Sequence, residues 1–166
     1  MEFHKLKNFI NNDTLSDWFD IMHDKIGCFH KDPSNNFLLR IKKEKEKYKN
    51  DLIETFRTDN FYENLNHSEI KKKINNNEEF ICYHPQLYNS KYSLFVSPDI
   101  ILHKKLFLKY FPKIKVELPE YIILDILYKI IDFNADKTDV LNKNNIYYNK
   151  CKIFIACDSL NIKSGF

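Results

Sequence analysis

The stretch FICYHPQLYNSKYSLFVSPDIILH, Phe80–His103, carries the strongest fold signal in the chain. β-Branched and aromatic runs flank Asn89, Ser90 and Lys91, a pattern that predicts an antiparallel hairpin turning at those residues. The second arm runs through Pro98 and Asp99 to about His103. Proline has no N–H to give to a ladder, so Pro98 marks an edge or a bulge just before the acid. After a polar, proline-flanked connection, Tyr121–Phe133 reads as the most apolar strand in the chain.

Upstream of Phe80 the period changes from two to that of a helix. In NFINNDTLSDWFDIM, Asp13 or Thr14 can cap a short amphipathic helix over residues 14 to 24, with Leu15, Trp18, Phe19 and Met22 on its apolar side. KDPSNN, residues 31 to 36, is a loop, and a lysine-rich helix follows from about Phe37 to Phe56. Its expected apolar face is Ile41, Tyr48, Leu52 and Phe56, while KKEKEKYK reads as a solvated face of alternating charge. Ser68 is the expected cap of a helix through Ile74, and Asn75, Asn76 and Asn77 form a loop tip. In the tail, Ile146, Asn149, Ile153, Cys157 and Leu160 share a helical face although KIFIAC has strand propensity; helix is the favoured reading. The whole predicts a single domain of α+β (or α/β) class. Residues 1–78 are mainly helical, and 79–166 form a mixed sheet core with a packed C-terminal helix.

Composition sets further bounds. The 166 residues include fourteen Phe and ten Tyr, which excludes general disorder in spite of 30% charged residues. Net charge is only +3, and Arg40 and Arg57 are the only arginines, which argues against a surface built on bidentate phosphate forks. Lysines can still neutralise phosphate as point charges. Four scattered cysteines, no signal peptide and no apolar run near the length of a membrane span predict a reducing intracellular compartment and no membrane partner. Cys28 and His30, and again Cys82 and His84, repeat a C-x-H spacing that could supply four zinc ligands. No short loop unites the two pairs, so buried thiols and ordinary surface histidines are the favoured reading.

The sequence YIILDILYKIID, Tyr121–Asp132, places one acid, Asp125, inside an apolar run. Strand alternation puts Ile123, Asp125 and Leu127 on one face and Leu124 and Ile126 on the other. An unpaired carboxylate there would cost several kcal/mol, so it needs a cation, a donor network or an open cleft. Lys129 is a poor partner, because four residues of strand separate the two backbones by about 13 Å. Asp99, at the end of the preceding strand region, is the natural neighbour. Two convergent carboxylates make an oxygen-ligand site suited to magnesium, which keeps several waters and takes one or two protein acids. The bland alternative is an acid that caps a sheet edge or pairs with a lysine.

An acid just after a proline, then a strand bearing an acid where D-x-K would sit, resembles the PD-(D/E)XK nuclease core. The larger context is similar to the RecB-type nuclease domains encoded by giant DNA viruses. NFINNDTLSDWFDIM resembles that group's opening N-D-P-L-x-D-W-L segment, YSLFVSPDIILH its G-x-P-D-L-L-I strand and YIILDILYKI its V-V-D-I-K strand. The resemblance is spread from about Asn8 to Leu160. It implies a restriction-endonuclease-like core and a divalent-metal phosphodiesterase acting on DNA, with Asp99 and Asp125 as ligands of magnesium or manganese.

The chain also departs from that pattern. The strand lysine falls on Leu127. The upstream helix, where the family carries Gly and then an aromatic followed by Glu, reads Lys45, Tyr48, Lys49, so Lys49 occupies the acid's place; Glu46 is the nearest replacement as a metal ligand. The late Q-x-x-x-Y helix places Lys152 at the Gln and Ala156 at the Tyr. Lys152 is the candidate relocated catalytic lysine. The chain ends at NIKSGF, where related domains continue, which predicts a truncated or split member. The expectation is therefore a degenerate nuclease-like protein, weak or inactive, in the host cytoplasm if viral. The rival is a noncatalytic module that binds nucleic acid or a protein partner on the same scaffold.

Overall fold

In the computed structural model, residues 1–10, 15, 18, 36–57, 60–126 and 144–163 are described. A 3-10 turn at Phe3–Leu6 leads into α1, Lys7–Ile10. Further helices are α2, Asn36–Phe56; α3, His67–Asn75; α4, Lys104–Tyr110; and α5, Asn144–Leu160. Strands β1, Phe61–Glu63, β2, Ile81–Tyr83, β5, Ile100–His103, and β6, Tyr121–Leu124, form one sheet in the order β1-β2-β5-β6. β1 runs parallel to β2, and the other two pairings are antiparallel. β3, Leu87–Asn89, and β4, Leu94–Val96, make a separate antiparallel ribbon. The architecture is α+β, with a mixed sheet and packed helices.

Alternation along the strands builds two cores, one on each face of the sheet. Cys82, Ile101, Tyr121 and Ile123 pack with Ile70 of α3 and with Ala156, Cys157 and Leu160 of α5. Ile81, Ile100, Leu102 and Ile122 pack with Ile53 and Phe56 of α2 and Phe107 of α4. A sheet covered on both faces has no solvated side to encode, which is why β5 and β6 read as continuous apolar runs. The period-two expectation holds as far as Ile126, which joins the same cluster as Ile122, the face opposite Ile123.

The single long hairpin expected over 80–103 divides into two nested pairs. β2 and β5 pair within the main sheet, while the chain between them leaves the ladder at Pro85 and at Pro98. Neither proline has an N–H to donate, and His84 turns the chain with φ of 48°, so β3 and β4 leave the main sheet and pair with each other in the ribbon, where Phe95 also bridges Glu2. The turn lies where the sequence places it. Asn89 accepts from Tyr92 N at 3.1 Å and donates to Asp158 Oδ2 at 2.9 Å, tying the ribbon to α5.

Three expectations shift. The third helix is capped by Asn66, not Ser68, in a reciprocal capping box with Glu69, and Ser68 Oγ donates to the Asn66 side chain. In α2 the buried positions are Ile53 and Phe56, whereas Ile41 and Tyr48 are exposed. Leu52 and Phe56 of the expected face do pack, joined by Ile53, and burial is confined to the last turns of the helix. The last strand ends at Leu124, leaving Asp125 just beyond it; residues 127–133 lie outside the described residues. Of the helix expected over 14–24, Leu15 and Trp18 are helical and the remaining positions lie outside the described residues. The ambiguous tail is helical from Asn144 to Leu160.

Ile101 is fully buried at the centre of this sheet. Ile101→Ala should cost about 2–5 kcal/mol in urea unfolding, through lost transfer energy and the cavity left behind. Phe95→Ala, at a residue more than half exposed, should change stability by no more than about 0.5 kcal/mol.

Candidate functional site

Asp99 precedes β5 and Asp125 follows β6. The antiparallel register pairs Ile100 with Leu124, so the next residue along each strand brings the two acids together at one end of the pair. Each carboxylate then bonds the other strand's backbone. Asp99 N donates to Asp125 Oδ1 at 3.0 Å, and Ile126 N donates to Asp99 Oδ2 at 2.6 Å. These crossed bonds continue the ladder beyond the point where strand geometry ends, and they fix both carboxylates.

A lysine then approaches each acid from a different helix. Lys49 Nζ of α2 lies 2.7 Å from Asp99 Oδ1, and Lys152 Nζ of α5 lies 2.9 Å from Asp125 Oδ1. Both pairs are largely withdrawn from solvent, with side-chain exposures of 15% and 9% for the first and 18% and 4% for the second. The local reason is helical spacing. Lys49 shares a stripe with Ile53 and Phe56, which pack on one face of the sheet, and Lys152 shares one with Ala156 and Leu160, which pack on the other. The two ammonium groups therefore straddle the sheet end, carried there by the residues that bury each helix.

Burial pushes the Asp125 carboxyl above its usual range, against the opposing pull of Lys152. Its Oδ2 is buried and has no hydrogen-bond partner among the described residues. His84 Nε2 stands 3.8 Å from Asp99 Oδ1. Burial lowers the His84 pKa despite that neighbour, so the imidazole is neutral at pH 7 and this contact adds no ion pair. The backbone nevertheless draws His84 to the site: its N–H donates to Asp99 O at 2.9 Å. Tyr83 stacks on its ring at 3.9 Å between centroids. A cleft of about 580 Å³ opens beside the site, lined by Glu2, His4, Gln86, Ser97, Tyr148 and Lys152 among others.

The sequence-nominated residues thus separate. Asp99, Asp125 and Lys152 converge, and Lys49 joins them. Glu46 stays exposed on α2, one helical turn before Lys49, in a shallow groove with Lys42, Lys43 and Lys47. It makes no ion pair with the converged lysines. Leu127, Lys129, Cys28 and His30 lie outside the described residues. Cys82 is buried in the core, where desolvation pushes its thiol up to about 11. His84, two residues on, faces Asp99 instead, so this C-x-H pair splits between core and site.

Two carboxylates, two ammonium groups and a neutral imidazole sum to no net charge. The Asp99–Asp125 cluster does supply oxygens of the kind magnesium and manganese prefer. Three of those four oxygens already accept from a lysine or a backbone amide, and among the described residues no group of three or more Asp, Glu, His or Cys side chains is placed to hold an ion. As it stands the donor set fits bound ammonium better than a resident divalent ion. No family model, curated protein or solved structure matches this chain.

The lysine-acid pairs predict strong coupling. Asp125→Leu and Lys152→Met should each cost about 3 kcal/mol, because each strands the other charge in a dry site, and the double variant should cost clearly less than the sum. Urea titrations of the four proteins measure this. A second outcome follows from the raised Asp125 pKa. The native state binds this proton more tightly than the unfolded chain, whose value is near 3.8. Ionisation therefore costs stability as pH rises through that interval. The stability of the natural protein relative to Asp125→Asn should fall as pH rises above the unfolded-chain value near 3.8.

Proposed function

We propose that this chain is a degenerate nuclease-like protein of the PD-(D/E)XK type, with little or no metal-dependent DNA phosphodiesterase activity. The observation that supports this reading is the meeting of Asp99 and Asp125 at the end of β5 and β6 with Lys152 on Asp125. The resemblance puts the acids on neighbouring strands, and the late helix supplies a charge that the strand position 127 does not. Lys49 favours the degenerate form, because it brings an ammonium to Asp99 where the resemblance expects an acid. Magnesium or manganese, were it bound by these acids, would activate a water. Neutralisation of both acids by lysine disfavours that binding, and loss of one preorganised charge-stabilising group alone costs about 3–4 kcal/mol in barrier.

Labelled single- and double-stranded DNA, incubated with the protein in magnesium or manganese, should remain uncut or be cut only slowly, with Asp125→Ala as control. Efficient cleavage that the control abolishes would overturn the degenerate reading and make Lys152 the next position to substitute.

A second reading rests on α2. Lys42, Lys43 and Lys47 are exposed along one shallow groove, available to phosphate or to an acidic protein surface. In this reading the scaffold binds without cutting. DNA affinity measured by fluorescence anisotropy should then need no metal, and log K should fall with log salt by about 0.9 for each phosphate neutralised. No affinity at low salt would leave an acidic protein partner as the occupant of this face.

A further inference from the structure

We propose that Lys49 and Lys152 are resident substitutes for a divalent cation, and that removing either charge opens a manganese site on Asp99 and Asp125. The inference needs only these side chains and stands whether or not the chain handles nucleic acid.

The site already binds cations. Two ammonium groups, one from each side of the sheet, sit at 2.7 and 2.9 Å from carboxylate oxygens that are otherwise almost wholly desolvated. A small cation approaching the pair would meet like charge within a few Å on both sides, where low dielectric makes repulsion far stronger than in water. The natural protein therefore excludes divalent ions by occupation.

The carboxylates do not depend on the lysines for their placement. Asp99 N holds Asp125 Oδ1, and Ile126 N holds Asp99 Oδ2, so the crossed amide bonds keep both acids in place when a lysine is neutralised. Loss of one ammonium leaves the pair with a net charge of −1. It frees Asp99 Oδ1, in the case of Lys49, or returns an accepting site to Asp125 Oδ1, in the case of Lys152. Asp125 Oδ2, buried and unpartnered among the described residues, supplies a further oxygen. His84 Nε2, neutral and 3.8 Å from Asp99 Oδ1, stands within reach as a nitrogen donor that manganese accepts. Water can complete the shell, as it does for divalent ions held by one or two carboxylates.

Manganese binding is read by loss of the free-ion signal in electron paramagnetic resonance and by isothermal titration, on the full chain. The natural protein should bind no manganese at this site, and its thermal midpoint should be the same in chelator and in millimolar manganese. Lys49→Gln and Lys152→Gln should each bind one ion, with Kd of about 10⁻⁴–10⁻³ M, typical of a weak site with few protein ligands. Adding Asp125→Asn to either should abolish binding, and Lys152→Arg, which keeps the charge, should leave the site blocked. Folded glutamine variants that bind no manganese would overturn the proposal. So would Asp125-dependent binding by the natural protein. If a glutamine variant is unfolded in chelator, circular dichroism during a manganese titration gives the same answer: recovery of the folded spectrum supports the site, and no recovery overturns it. None of these readouts uses DNA, so they separate this inference from the proposed function.

Discussion

The crossed bonds between Asp99 and Asp125 and the opposing backbone amides set the frame on which the other features of the site hang. An antiparallel ladder ends where strand geometry ends, and its last amides would normally turn to water. Here they turn to carboxylates. That choice places two negative charges in a region walled by Ile100, Ile123, Ile126 and the two flanking helices, where a lone charge would cost several kcal/mol. The demand for compensation then falls on whatever the helices carry at that level of the sheet. α2 and α5 each carry a lysine there.

Because the two lysines come from opposite faces, the site links both cores of the protein. Lys49 is fixed by the packing of Ile53 and Phe56, and Lys152 by that of Ala156 and Leu160. A shift of either helix along the sheet would strand one charge without its partner. His84 adds a constraint of a different kind. Its left-handed backbone costs about 1–3 kcal/mol in a residue with a Cβ. The hydrogen bond from its N–H to Asp99 O and the ring stack with Tyr83 hold it beside Asp99 all the same.

Charge balance also distinguishes this site from its surroundings. The four-charge cluster is neutral in itself, whereas the accessible lysines of α2 lie outside it on the same helix. α2 therefore presents a lysine inward to an acid and others outward to solvent, one structural and the rest available for contact. Alternating lysine and glutamate in the sequence hides this division, since every lysine in KKEKEKYK looks alike until the helix is rotated against the sheet.

By itself the sequence determined the strands at β2, β5 and the start of β6, the turn at Asn89, and the arrival of Asp99 and Asp125 at the ends of adjacent strands. Those features follow from short-range rules: period-two burial, proline's missing donor and the high cost of an unpaired buried acid. It also singled out Lys152 and the substitution of Lys49 for an acid, though only through a resemblance. The partner of each acid was decided by tertiary structure, because it depends on helix rotation. Leu52 and Phe56 of the expected face do pack, but only contact with the sheet turns Lys49 and Ile53 inward beside them and leaves Ile41 and Tyr48 exposed. The backbone donors that fix the two carboxylates were equally out of reach, since they depend on strand register. Leu127, where the sequence departs most plainly from the nuclease pattern, lies outside the described residues. What the sequence presents as two lone acids becomes, once the helices dock, two ion pairs held at the end of one sheet, because long-range packing and not local pattern sets which charge meets which.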